Sequence, residues 1–429
     1  MATKKTKDVK VETPVTSETV EEKEVKEAPV EEVKVEEKKA EKTNTPVETE
    51  EIPTYNIKTK YKSLKNIVLN PVDSVKNGEP IVSVKNLKVQ FSVRNRILTA
   101  IRNISLDIYK GEILAIVGES GSGKSVFTKT LTGMLEANGG VSQGKILYSG
   151  VDLATFHTNE DWLNIRGKRI ATIFQDPMTS LDPLRRIGSQ ISEVIRLHRG
   201  MNKEDAKAEA ISLLKKVGIV DAENRYNDYP FQYSGGMRQR VVIAIALACA
   251  PDILICDEPT TALDVTIQAQ ILELIKELKN EYGFTVLFIT HDLGVVAEVA
   301  DRVAVMYAGQ IIEYGTVNDI YYNPQHPYTW ALLSSLPQLG EKGETLYSIT
   351  GTPPSLFNEI KGDAFAPRNP YALQIDFVKE PPMFKVSETH YAKTWLLDPR
   401  APKVKRPEII GEISARVAKI YSNGGENNE

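Results

Sequence analysis

The stretch Gly118-Glu119-Ser120-Gly121-Ser122-Gly123-Lys124-Ser125 limits what this chain can fold into more than any other part of it. It fits G-x-x-x-x-G-K-[ST], and its flanks supply the context that this pattern needs. Residues 113–117 are a continuous apolar run of buried-strand length, and residues 126–131 read as the first turns of a helix. A glycine-rich turn between strand and helix lets the backbone approach a polyphosphate closely. It also exposes N–H groups to the phosphates, with the partial positive charge of the helix N-terminus behind them. Lys124 brings a full charge to the outer phosphates, and the Ser125 hydroxyl is placed to ligate Mg²⁺. The stretch therefore predicts a nucleotide phosphate site formed by Gly118, Ser120, Gly121, Ser122, Gly123, Lys124, Ser125 and Val126.

At 429 residues the chain has room for two or three domains. Its 41% hydrophobic content suits a globular core in water. The longest apolar run, residues 241–250, falls well short of the ~20 residues that span a bilayer. Met1 is followed by lysines and no apolar segment, so no signal peptide is read there, and the expected compartment is the cytosol. Cys249 and Cys256 both lie in apolar segments and make no disulfide framework. The net charge of −4 resides in the first 50 residues, which hold ten Lys against fourteen Asp and Glu. The remainder balances at 43 basic against 43 acidic residues, which gives no electrostatic argument for nucleic acid.

Residues 1–54 mix Lys, Glu, Val and Thr without one aromatic side chain. Such a segment cannot bury enough apolar surface to offset its ordering entropy, so it is expected to be a disordered charged tail. A basic linker follows over 55–78. Alternating apolar residues over 81–91 and 98–108 predict strands of an antiparallel sheet beside a nucleotide-binding α/β core. A loop and a short strand are expected between Asn138 and Gly150, and another strand over 169–174, ending at Gln175. Residues 184–217 are mostly helical in pattern, with no strand among them, which suggests a helical insertion. A hairpin is expected over 303–314. Helix then runs to about 336, ahead of a Pro-rich tail with few strong periodicities.

Three further stretches carry chemistry. Ser234-Gly235-Gly236 opens the helix over 241–250, either as a plain helix cap or as a second anion-binding helix N-terminus. Residues 253–258 form a buried strand ending in Asp257 and Glu258. Asp257 suits Mg²⁺ coordination, usually through water. Glu258, one step further out, is placed to hold and polarise a water aimed at a γ-phosphate. Residues 260–264 turn into an amphipathic helix over 268–278. The strand 285–290 then delivers His291 to a strand end, where sites of α/β proteins gather.

In this order the pieces resemble the ATP-binding cassette subunit of an ABC transporter: Walker A at 118–125, Q-loop Gln175, signature 233–237, Walker B 253–257, D-loop Asp264 and switch His291. Residues 174–183, 234–240, 260–266 and Asn323-Pro324-Gln325-His326-Pro327-Tyr328-Thr329 look like the oligopeptide/dipeptide importer group, over about residues 81–400. The resemblance implies a P-loop NTPase core of ABC type over 79–337. That core would carry an antiparallel β subdomain and an α-helical subdomain at about 178–245, with a C-terminal extension over 338–429. It implies that Phe91 stacks on adenine, a contact that tolerates any purine. Glu258 would be the catalytic base, and His291 would hold the γ-phosphate and the attacking water. Gln175 would link Mg²⁺ and water to the helical insertion. Ser234, Gly235 and Gly236, with Asp264 nearby, would close over ATP held by a second, related but non-identical cassette. The other implied partners are two transmembrane permease subunits and an external solute-binding protein. The chain itself would lie at the cytoplasmic face of the cell membrane.

The sequence departs from the importer group in one respect. That group commonly carries four cysteines for an iron–sulfur cluster in its C-terminal tail. Here Asp363, Asn369, Asp376 and Thr394 stand at those positions, so no cluster of that kind is expected. Asp363, Asp376 and His390 remain as ligands for another metal, with solvated polar substitution as the alternative. Closely similar cassettes serve nickel importers. A soluble ABC ATPase of translation or DNA repair is a second reading, although such proteins usually have paired cassettes or a coiled-coil insertion. Ser234-Gly235-Gly236 and the absence of a guanine-reading motif disfavour a P-loop kinase or GTPase.

Overall fold

The computed structural model of the protein describes residues 52–336 and 349–412, apart from 58, 60–62, 65, 66, 68, 77, 262 and 409. The expected disordered tail lies outside the described residues except at 52–54, and so does the expected boundary at 337/338. Residues from 51 onward form one compact unit.

The apolar runs at the centre of the sequence become a parallel sheet. In spatial order these are β6 (Ile170–Ile173), β7 (Ile253–Asp257), β8 (Thr285–Thr290), β3 (Ile113–Val117) and β9 (Arg302–Tyr307). β3 does not alternate because both of its faces are covered. Leu114 and Ile116 face the core under the antiparallel sheet, while Ala115 and Val117 face the core shared with the C-terminal region. β7 and β8 divide their side chains in the same way, sending Leu254, Cys256, Val286 and Phe288 toward the helices.

A four-stranded antiparallel sheet covers one face. Its order is β2 (Arg96–Tyr109), β1 (Pro80–Val93), β4 (Gly139–Tyr148) and β5 (Val151–Asp152). β1 and β2 meet through Arg94 and Asn95, both at positive φ, as a two-residue hairpin turn of the primed kind requires. The short strand expected between 138 and 150 is in fact ten residues long and pairs with β1 back to Phe91↔Gly139. Its glycines hide the alternation that would have shown its length. Between the sheets lies α1 (Lys124–Leu131), anchored by Phe127 and Leu131.

After the four-residue helix α2 (Asn159–Trp162) and β6, the chain enters a helical region. This comprises α3 (Pro177–Ser180), α4 (Ile187–Arg199), α5 (Lys203–Lys216), α6 (Ala222–Arg225) and α7 (Gly235–Leu247). Ile187, Ile191 and Ile195 of α4 pack against Ala206, Ala210, Leu213 and Leu214 of α5, the i, i+3, i+4 stripe of two amphipathic helices. α8 (Val265–Tyr282) and α9 (Leu293–Val299) then cross back between the strands of the parallel sheet.

β9 and β10 (Gln310–Thr316) form the expected hairpin. α10 (Val317–Tyr322) and α11 (Pro327–Ser334) follow. The tail, read from sequence as weakly periodic, contributes strands of its own, and this corrects the expectation. β11 (Phe384–Lys385) pairs with β12 (Tyr391–Ala392), which pairs with β10, so among the described residues the central sheet has eight strands. Two-residue strands are too short to leave a period. Phe365 and Tyr371 of the tail pack into one core with Tyr307, Tyr328 and Trp330.

Candidate functional site

Four neighbouring parallel strands end on the same side. Just beyond β6 stands Gln175, at the end of β7 Asp257 and Glu258, beyond β8 His291, and beyond β3 the glycine loop. Ligands of open α/β sheets gather at this edge, because strand ends present both side chains and free backbone groups there.

The loop is pressed against β9. A Cβ on Gly118 would meet the Met306 carbonyl oxygen at 2.1 Å, and one on Gly123 would meet Met306 Cε at 2.7 Å. Both residues have positive φ, which only glycine adopts without strain. Lys124 Nζ donates to the carbonyls of Gly118 (2.8 Å) and Glu119 (3.0 Å). Burial lowers the pKa of this ammonium, while Glu258, Asp257 and Glu119 act in the opposite sense. The Ser122 hydroxyl is buried without a hydrogen-bond partner. An unpartnered buried hydroxyl beside an ammonium that rests on its own loop fits a polyphosphate.

Ser125 Oγ donates to Asp257 Oδ1 at 3.4 Å. Burial raises the Asp257 pKa, a penalty that a divalent cation would reverse. Hydroxyl and carboxylate oxygens are the donors that Mg²⁺ takes, so the residues present fit that ion.

Glu258 has φ +48°, a left-handed conformation that is strained for a residue with a Cβ. Its N–H donates to Ile289 O (2.9 Å), which anchors the bend to β8. Its carboxylate accepts from Gln175 Nε2 (3.2 Å) and Thr261 Oγ1 (3.1 Å), and its other oxygen faces His291 Nδ1 at 3.3 Å. The Glu258 side chain is 20% exposed and that of His291 58%, so a water has access to the carboxylate. The sequence did not mark Thr261. Its only signal is that it stands three residues after Glu258 in a tight turn.

The second group of predicted residues stands apart. Ser234 caps α7 by accepting from Met237 N–H, and Asp264 caps α8 by accepting from Ile267 N–H. Ser234 and Gly235 are exposed, and Gly236 lies on Ile267. Among the described residues no hydrogen bond or ion pair joins 234–236 to the loop at 118–125. Phe91 differs from its expectation. Rather than an open platform it is a core side chain, 6% exposed, with its ring against Gly139 across the β1–β4 pairing.

Two contacts reach the loop from far along the chain. The Glu119 N–H donates to the Tyr328 hydroxyl (2.9 Å), and the Glu119 carboxylate accepts both arms of Arg368 (2.7 and 3.0 Å). Sequence reasoning singled out the motif holding Tyr328 and the positions Asp363 and Asn369 that flank Arg368, but had no means of pairing either tyrosine or arginine with Glu119.

Each of the four tail positions that carry cysteine in the importer group closes a turn here. Asp363, Asn369 and Thr394 accept from the N–H two residues ahead, and Asp376 accepts from Leu373 N–H. All four are buried. Among the described residues no group of three or more His, Cys, Asp and Glu is placed to hold a metal, so Asp363, Asp376 and His390 do not form a ligand set. His390 Nε2 instead pairs with Glu313 (2.8 Å). His326 accepts from Tyr328 N–H at Nδ1, and burial lowers its pKa to about 3, so the ring is neutral with its proton on Nε2.

Burial, with a smaller contribution from Asp376, raises the Asp363 pKa to about 6. An acid whose folded pKa exceeds its unfolded one stabilises the fold fully below the unfolded value and loses that contribution as pH rises through the folded one. The contribution lost between about pH 4 and pH 6 is on the order of 3 kcal/mol. Asp363→Asn keeps the oxygen that caps Phe365 but does not titrate. The thermal midpoint of the variant should therefore gain on wild type as pH is raised from 4 to 7. A midpoint difference independent of pH would show that Asp363 stays ionised.

Two family profiles match this chain: "ABC transporter" over residues 101–261, and "Oligopeptide/dipeptide transporter, C-terminal region" over residues 312–375. The chain is 63% identical over 342 residues to the oligopeptide transport ATP-binding protein AmiE of Streptococcus pneumoniae, covering 80% of this chain and 96% of that one. It is 60% identical over 333 residues to the dipeptide transport ATP-binding protein DppD of Lactococcus lactis, covering 77% and 95%. Over 343 residues it is 54% identical to the oligopeptide transport ATP-binding protein OppD of Bacillus subtilis, covering 80% and 96%. Among solved structures it is similar to cbiO1 of Clostridium perfringens, part of the ABC transporter complex cbiONQ. There the TM-score is 0.50 at 27% identity, covering 57% of this chain and 92% of that one.

Proposed function

The chain belongs to the ABC transporter family, among its oligopeptide and dipeptide transport ATP-binding proteins, and from that membership we propose how its residues drive peptide import. It is an ATPase whose hydrolysis of ATP powers uptake of oligopeptides or dipeptides by a transporter that includes a permease and a substrate-binding protein. The observation that carries the mechanism is the placing of Glu258, just beyond β7, between Gln175 and His291, which follows the neighbouring strand β8, with Lys124 within electrostatic reach.

The triphosphate enters the cradle at 118–125. Lys124 exchanges the carbonyls of Gly118 and Glu119 for phosphate oxygens, and Ser122 gains the partner it lacks. Ser125 and Asp257 would hold Mg²⁺, which would neutralise charge developing on the transferred phosphoryl group. Glu258 takes a proton from water as the water oxygen bonds to the γ-phosphorus and the bond to the bridging oxygen breaks, leaving ADP and phosphate. Gln175 and Thr261 aim the carboxylate, and His291 supports the γ-phosphate and the water.

Ser234, Gly235 and Gly236 cover the γ-phosphate of ATP held on a second, related cassette, and Asp264 lies beside that junction. The exposure of Ser234, Gly235 and Asp264, and the lack of any bond among the described residues from 234–236 to this chain's own loop, support that assignment. Gln175 leads directly into α3, and beside it lies a groove of about 450 Å³ lined by Phe174, Thr179, Val194, His198, Val242 and Ile245. Met178, Leu184 and Phe231 expose further apolar surface on the helical region. This face docks on the two permease chains at the cytoplasmic side of the membrane, so closure over ATP moves the peptide pathway. No helix among the described residues is long and apolar enough to cross a membrane. Phe91 meets adenine only at the rim of its ring, since the ring is packed on Gly139.

Purification from membranes tests the reading. Permease chains and a second cassette should accompany this protein, and ATP turnover of the assembly should rise when a peptide-loaded binding protein is added. Turnover that responds to nickel rather than to peptide would overturn the choice of solute. Recovery without any permease would favour a soluble ABC ATPase.

A further inference from the structure

We propose that Arg368, far along the chain in the C-terminal region, is a positioning residue for ATP: it holds the Glu119 carboxylate out of the phosphate cradle and cancels its charge. The proposal rests on the reading of residues 118–125 as the ATP site.

Glu119 is the one acid inside that loop, and its carboxylate acts on Lys124. Left unpaired, it would compete with the triphosphate for the Lys124 ammonium and repel the phosphates directly. The structure prevents this with a guanidinium that has no freedom left. Arg368 gives Nη1 and Nη2 to the two oxygens of Glu119, Nε to Thr350 O (2.9 Å), and further bonds to Tyr307 Oη (3.2 Å) and Ile349 O (3.4 Å). Its side chain is 5% exposed and stands over the rings of Tyr307 and Phe365. A planar fork with every donor engaged fixes the direction of the carboxylate as well as its charge, which a lysine at this place would not do.

Tyr328 makes the backbone counterpart of this contact. By accepting the Glu119 N–H it withdraws that group from the cradle and sets the tilt of the loop at its first step. Tyr328 and Arg368 both fall within the stretch matched to the oligopeptide/dipeptide C-terminal region. That region therefore fixes the outer wall of the nucleotide site.

The test measures ATP affinity and thermal midpoint for Arg368→Met, Glu119→Gln and the double variant, in the full-length chain. Arg368→Met is expected to weaken ATP binding by about tenfold or more, because it leaves a bare carboxylate beside the phosphates. Adding Glu119→Gln removes that charge and should bring affinity back to within about threefold of wild type. A contact that merely fastens the tail would instead lower the midpoint and leave ATP affinity within about twofold of wild type, which would overturn the proposal. So would a double variant that binds as weakly as Arg368→Met. If Arg368→Met does not fold, the double variant decides: affinity within about threefold of wild type supports the proposal, and a loss of about tenfold refutes it. Failure of the wild-type chain to bind ATP at all would strike the ATP-site reading instead.

Discussion

Glu258→Gln is expected to lower ATP turnover by about 10²–10⁴-fold while ATP still binds. The substitution keeps shape and loses one property. An amide oxygen still accepts from Gln175 and Thr261, so the side chain stays where it is, but it cannot take a proton from water. The groups that grip nucleotide, Lys124, Ser122 and Ser125, belong to other elements and are untouched. Removing a negative charge that acts on Lys124 should, if anything, tighten binding. Steady-state turnover and nucleotide binding on one preparation check this. Near-normal hydrolysis in the variant would take Glu258 out of the role of base.

Ser234→Asp should reduce turnover of the assembled transporter by at least about 10²-fold, the cost of losing one preorganised donor to a reacting oxyanion. It is chosen because it separates two jobs of one residue. As the N-cap of α7, Ser234 accepts from Met237 N–H, and aspartate caps a helix about as well as serine. The fold should therefore hold, with the midpoint little changed. As a contact to the γ-phosphate across the cassette junction, aspartate would place charge against charge. Ser234→Asn, which caps without charge, is the control and should lose less. Should the aspartate variant turn over like wild type, the junction does not involve Ser234.

The strand, loop and helix around Gly118 were readable because every residue there obeys a local rule, from the unbroken apolar run of β3 to the lysine at the helix start. The same holds for β7 and β8, where apolar runs end in Asp257 and Thr290. What the sequence concealed is non-local. Nothing near Phe91 reveals that Gly139 will lie on its ring, and nothing near Glu119 points to an arginine 249 positions away. β11 and β12 escaped notice because two residues cannot establish a period, and they exist only because β10 offers an edge. The strain at Glu258 was equally invisible, since it arises from the bond to Ile289 on the next strand.

The turn closures at Asp363, Asn369, Asp376 and Thr394 have a practical consequence for this subunit's fold. Each of these turns is closed by a side-chain oxygen of the chain itself, and none of the four holds a cysteine or methionine sulfur for peroxide to oxidise. The folding of this subunit should therefore not depend on iron supply or aeration. Chelators and air during handling should leave its melting behaviour unchanged.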